Sequence, residues 1–420
     1  MPYSFFVEDT EIITSIESDL ADLVKGAKEA TIYITYIPQA TYRVNPATRC
    51  ASTLSGHSDS ILTVAFSPDG TRLASGSGDM NVRFWDLNTN TPMPLAQAHK
   101  NWVMCLAWSP DGKYLASGSM DNNIQIWDGE TGKPFGGPLK GHTKWITSIS
   151  WEPLHLQCPS YRLVSSSKDG LAKIWDVTRR VCLQTLSQHK DAVATVKWTG
   201  SGHIITGSRD RTIKVWTPEG SLVKSLEGHA HWINTLALSS DYAIRTGAFD
   251  HQGKLKSSDP EELKQAALEK YQASLIDGHE VLVSGSDDFT MILWNPLENN
   301  KPVARLTGHQ ALVNHVMFSP NGQFLASASF DKSVKIWNAK TGKFLSSLRG
   351  HVGSVYQIAW SSDSRMICSG SKDSTVKLWE LKSRSLKQDL PGHQDEVFAI
   401  DWSPNGVSLA SGGRDKNLKM

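Results

Sequence analysis

Serine, histidine and aspartate, the side chains that make up a hydrolase triad, recur through this sequence at nearly constant spacing. Histidines in a shared local context stand at His57, His99, His142, His189, His229, His309, His351 and His393. Each is followed by a turn aspartate, at Asp79, Asp121, Asp169, Asp210, Asp288, Asp331, Asp373 and Asp415. Four residues before every aspartate is a hydroxyl: Ser75, Ser117, Ser165, Thr206, Ser284, Ser327, Ser369 and Ser411. In an enzyme the serine would attack, the histidine would take its proton and the aspartate would orient the ring. A catalytic constellation occurs once, at a cleft, whereas a structural staple recurs with the fold unit. Eight copies assign these residues to the fold. Trp85, Trp127, Trp175, Trp216, Trp294, Trp337 and Trp379 stand six residues after seven of the aspartates; after Asp415 the chain stops at Met420, one residue before that position. An indole N–H, a hydroxyl, an imidazole and a carboxylate can form one hydrogen-bonded chain, which a core tolerates when every member has its partner.

No other catalytic chemistry stands out: there is no unrepeated nucleophile with a base, no phosphate loop and no metal cluster. The five cysteines (Cys50, Cys105, Cys158, Cys182 and Cys368) are scattered and lack C-x-x-C spacing, which fits a reducing compartment better than a disulfide framework or a zinc site. With 43 basic and 42 acidic residues, no global charge draws the chain to nucleic acid or membrane, so an electrostatic partner must be met by a local patch. No segment approaches the ~20 apolar residues of a membrane span, and no small-molecule substrate is expected.

The elements that position the repeated side chains follow from the spacing. Between each histidine and aspartate lie two short runs rich in β-branched residues, divided by turns such as Ser-Pro-Asp-Gly, and the aspartate turn leads to a third run ending in tryptophan. That rhythm, repeated at 40 to 47 residues over most of the chain, predicts an all-β, eight-bladed propeller. Counting from each histidine, positions +4, +7 and +9 are apolar almost everywhere, a slip from strand alternation that predicts a β-bulge near +5 or +6. The third unit has about five extra residues between Leu154 and Tyr161, and in the fifth His229 and His309 lie 80 apart. This second insertion, 251–278, reads as a surface loop with one helix. Asp259 is its N-cap, Pro260 its first residue and Glu262 the far side of a capping box; Leu263, Ala266, Ala267 and Tyr271 share one face, to pack on the rim or dock a partner. Residues 1–48 do not share the repeat; strands over 3–7 and 30–37 and a helix over 18–24 read as a partial ubiquitin-like module lacking its first hairpin. The propeller then spans 49–420, its last blade closed by residues 52–55.

The Trp–Ser/Thr–His–Asp pattern resembles the WD-repeat blade. In that family, positions +3 and +5 and the residue before the aspartate look out from the top face, where many members bind partners. Carried onto this chain, the resemblance nominates Trp102, Trp145, Trp232, Lys168, Arg209, Phe330, Tyr356, Lys372, Phe398 and Arg414, an aromatic and basic set suited to protein hot spots and to RNA.

A closer resemblance rests on TIYITYIPQATYRVNPATR, GHTKWITSISWEPLHL, HAHWINTLALSSDYAIRTGAFDHQGK, SDDFTMILWNP and GHQALVNHVMFSPNG. Together these are similar to the Notchless family of eukaryotic assembly factors for the large ribosomal subunit, over nearly the whole chain. The resemblance implies a non-catalytic, monomeric protein of the nucleolus and nucleoplasm whose propeller docks on pre-ribosomal proteins and ribosomal RNA. It further implies that the N-terminal module is gripped by midasin, an AAA-type ATPase, through a Mg²⁺ that midasin holds; the chain itself carries no cofactor. Aligning on IYITYIPQA places the family's metal-binding glutamate at Glu29, in the turn Gly26-Ala27-Lys28-Glu29. ATP-driven pulling would then remodel the particle. The alternative is a WD-repeat substrate receptor in ubiquitin ligation, or a signalling scaffold.

Overall fold

The structure is a computed structural model, describing residues 3–7, 10–12, 34–38, 40 and 42–420, apart from 88, 90, 94, 95 and 98. The chain divides into two compact units, Met1–Val44 and Asn45–Met420. In the first, Tyr3–Val7 is the middle strand of a three-stranded sheet and pairs antiparallel with both Thr10–Ile12 and Ile34–Pro38. Tyr3–Val7 and Thr10–Ile12 pair antiparallel where the sequence places one strand and no hairpin. The expected helix over 18–24 and Glu29 lie outside the described residues.

In the second unit eight antiparallel sheets follow one another in chain order. Blades three to seven have four strands each. The second has three, its outer edge reduced to bridges Ile124–Leu139 and Trp127–Pro134. The eighth is closed by the chain's earlier part, as expected for residues 52–55: Thr53–Leu54 pairs with Leu418–Lys419, a short third strand that pairs in turn with Ser411 and Gly412. In all eight blades the register slips between positions +4 and +6, as at Ile61/Thr63 and Val355/Gln357, which puts the bulge at +5. That extra residue lets +4, +7 and +9 fill the seams between blades.

The repeated polar side chains lie inside. His57 Nδ1 is 2.8 Å from the Asp79 carboxylate, its Nε2 is 2.8 Å from the Ser75 hydroxyl, and Trp85 Nε1 donates to that hydroxyl at 3.0 Å. The same chain joins His99, Asp121, Ser117 and Trp127, and again His351, Asp373, Ser369 and Trp379. In the eighth blade His393 meets Asp415 and Ser411. The residue after the aspartate takes a left-handed conformation in every blade, Gly170 in the third and non-glycine residues such as Arg211 (φ 72°) elsewhere. The aspartate holds it there, because its second oxygen takes the next amide, as Asp210 does from Thr212.

The long insertion of the fifth blade runs across the face opposite the aspartate turns. It opens with α1 (Asp241–Thr246) and continues into α2 (Pro260–Ala273). Asp259 caps α2 through the Glu261 amide, but Glu262 completes no capping box, because the Asp259 N–H is taken by the Ser257 hydroxyl. Ala267 is buried with Leu154 of the third blade and Ala248, and Leu263 and Ala266 pack beside them; this is what the extra residues of the third unit are for. Tyr271 stacks on His155 at 4.8 Å. The helix thus spends its apolar side on the propeller. Arg245 forms a paired salt bridge with Asp401 of the eighth blade, Asp401 also accepts the Phe66 amide of the first, and Lys197 of the fourth holds Asp241 at 2.9 Å. Gly253 (φ +76°) lies against the Asp69 carbonyl of the first blade, where no Cβ would fit. One loop therefore touches blades on both sides of the ring's closure.

Candidate functional site

The face that carries the aspartate turns is built by a backbone hydrogen bond that recurs in every blade: the residue before the aspartate donates its N–H to the carbonyl at position +3. Lys168 donates to Trp145, Asp287 to Trp232, Met120 to Trp102, Lys372 to Ser354 and Arg414 to Glu396, all within 2.8–2.9 Å. The bond sets the two side chains next to each other at the rim. Trp102, Trp145 and Trp232 are 45%, 41% and 39% exposed, although the twelve other tryptophans of the chain are all buried. Those twelve serve the four-residue chains and the blade seams, where for example Trp108 Nε1 donates to the Ala65 carbonyl of the preceding blade.

The nominated residues fall into two groups. Over the third to fifth blades, Lys168 Nζ sits 4.2 Å from the Trp145 ring centre and the Arg209 guanidinium 4.5 Å from that of Trp232. Over the sixth to eighth, Phe330, Tyr356 and Phe398 form an aromatic row with centroids 5.7 and 5.4 Å apart. Burial and a 2.9 Å bond from its hydroxyl to Glu396 push Tyr356 up to about 12, so it stays a neutral donor. The structure does not bring the two groups together as one basic surface. Lys372 lies 3.9 Å from Glu396 and Arg414 3.7 Å from Asp395, so the basic character there is largely matched by acidic neighbours. At position +5, Thr147, Asn234 and Asn314 bond carbonyls of the next blade and are spent on the ring.

Sequence reasoning missed Lys190, Arg211 and His231, which join Arg209 and Trp232 around a notch between the fourth and fifth blades. For Lys190 and Arg211 the signal was present: the residues directly after the histidine and after the aspartate occupy the same rim as those that were counted. Among the described residues, no group of three histidine, cysteine or acidic side chains could hold a metal ion, and no helix is long and apolar enough to cross a membrane.

Known proteins match this arrangement. The family described as "WD domain, G-beta repeat" matches residues 48–86, 92–128, 134–176, 180–217, 300–338, 342–380 and 384–420. The gap from 217 to 300 is the fifth blade, which the insertion interrupts in sequence and which is complete in space. The "Notchless protein homolog" of Arabidopsis thaliana is 55% identical over 347 residues, covering 82% of this chain and 73% of that protein. The chain belongs to the Notchless family of WD-repeat proteins. Another Notchless-family relative, "Ribosome assembly protein 4" of Saccharomyces cerevisiae, is 50% identical over 349 residues, covering 81% of this chain and 68% of its own length. Among solved structures, the computationally designed Ika8 protein superposes with a TM-score of 0.68 at 26% identity, covering 88% of this chain and 98% of its own.

Proposed function

We propose that this chain is a non-catalytic assembly factor of the large ribosomal subunit, acting in the nucleolus and nucleoplasm as a rigid handle on the maturing particle. The observation that carries this reading is identity of 50–55% over 347–349 residues to relatives named as a ribosome assembly protein and as Notchless. The top face supplies what such a handle needs: exposed aromatics and cations in turns that backbone hydrogen bonds fix at the strand ends, able to grip protein or RNA without rearranging. The hydroxyls that could have suggested catalysis, six serines and Thr206, are fully buried in seven blades, out of reach of any substrate.

The finer part of the proposal concerns force. Glu29 would complete the oxygen shell of a Mg²⁺ held by midasin, a hard ion that favours carboxylate ligands. ATP-driven pulling on the N-terminal module would then reach the particle through the propeller. Glu29→Ala is expected to abolish Mg²⁺-dependent capture of the midasin adhesion domain while leaving the melting temperature unchanged. Capture that persists in Glu29→Ala, or in EDTA, would remove the metal-bridge mechanism.

A further inference from the structure

The notch between the fourth and fifth blades has a volume of about 440 Å³ and sets charged side chains around the exposed indole of Trp232. Three cations converge on it, Lys190, Arg209 and Arg211, and among the described residues none of them has an ion-pair partner, unlike Lys372 and Arg414 on the far side of the ring. Asp191 and Asp210 line the notch as well and keep their negative charge, which leaves the three cations in excess by one. Asp210 spends one oxygen on His189 and the Lys190 amide and the other on Thr212; Asp191 caps the Ala192 amide. His231 Nδ1 lies 3.5 Å from Asp287.

We infer that this notch is a phosphate-binding site for single-stranded RNA, with a backbone phosphate held among Lys190, Arg209 and Arg211 and a neighbouring base lying against Trp232. The inference rests on the assembly-factor reading and names the partner class for one part of its top face. Two features favour RNA over an acidic protein segment. The arginine fork above an exposed indole is a stacking platform that any base can use, and it sits beside the cations rather than apart from them. The apolar wall is the flat indole of Trp232 with Ala230, and no leucine, isoleucine, valine, methionine or phenylalanine lines the notch to enclose a peptide's apolar side chain.

The test is fluorescence anisotropy of the full chain with a labelled single-stranded RNA of about 12 nucleotides, a length that spans one such face. Lys190→Gln with Arg211→Asn removes two cations at exposed positions; asparagine tolerates the left-handed backbone at 211. Affinity is expected to fall roughly tenfold, and the salt dependence to flatten by about 0.7 per lost phosphate contact. Trp232→Leu should weaken binding with the salt slope unchanged, and Lys372→Gln should leave it within about twofold. Wild-type chain that fails to bind this RNA, a double variant that binds normally, or polyglutamate competing as well as RNA would each overturn the site. Recovery of pre-ribosomal particles by the double variant separates the two ideas: normal recovery with lost RNA binding leaves the assembly role standing, whereas no particle from wild type removes that role and not the notch.

Discussion

A neutral histidine that donates through Nδ1 to a carboxylate must accept at Nε2, and this order runs through every blade. In seven blades indole N–H donates to hydroxyl, hydroxyl to imidazole and imidazole to aspartate, and in the eighth the same order starts at the Ser411 hydroxyl. Ser369→Ala would leave His351 Nε2 and Trp379 Nε1 unpartnered in a dry core. The denaturant midpoint is expected to drop by the equivalent of about 1–3 kcal/mol, and an unchanged midpoint would argue against the chain as a fold staple. Acid tests the same groups with a definite sign. Burial alone would raise the carboxyls of Asp79, Asp121 and Asp169, but the histidine and amide hydrogen bonds override it and hold them at about 2, against an ordinary 3.8. Folded-state values below the unfolded ones stabilise the protein above pH ~4, and that stability is lost as pH falls toward 2. Burial lowers His351 and His393 from 6.5, so the unfolded chain takes up protons first and their loss begins lower than pH ~6.5. The melting temperature should be level near neutrality, decline below pH ~6.5 and fall steeply below ~4; a level profile down to pH 3 would contradict the assignment. At this scale the sequence was nearly transparent, because a polar set that repeats with the fold has one economical explanation. The pairing of Lys372 and Arg414 was not legible, since Glu396 and Asp395 approach them across a loop and not at a repeat spacing.

Among the elements, the inner-strand bulge and the fifth-blade insertion differ in how much of them could be read. The bulge shows in sequence because it shifts the apolar positions of all eight strands by one residue. Helix α2 was equally plain from Asp259-Pro260 and its apolar side, but its role needed contacts to Leu154 and His155, which lie about a hundred residues earlier. Helix α1 was missed. Six residues carry too little periodicity to mark a helix, and α1 is held by Lys197 and Asp401, from blades that only the closed ring brings near. Its arginine spans the closure between the last blade and the insertion. Arg245→Ala would leave Asp401 partly buried and without its cation, for a loss of roughly 2 kcal/mol and faster amide exchange at Phe66 and in Val397–Trp402. Unchanged exchange there would show that the insertion is not a brace.

On the scale of the whole molecule, a ring of blades around closed seams has little freedom to deform, so partners must meet a preformed surface. That surface is uneven, with unpaired cations over the third to fifth blades and a self-paired aromatic row opposite. The fold was legible because eight units repeat; the charge pattern of the face was not, because it depends on which loops become neighbours. The most direct test of the handle is purification of the tagged chain from cells, with protein and RNA identification, beside Arg209→Glu. Large-subunit precursor RNA and its assembly proteins are expected with wild type and several-fold less with the variant at an unchanged melting temperature; recovery of ubiquitin-ligase adaptors instead, with no ribosomal precursor, would contradict the account.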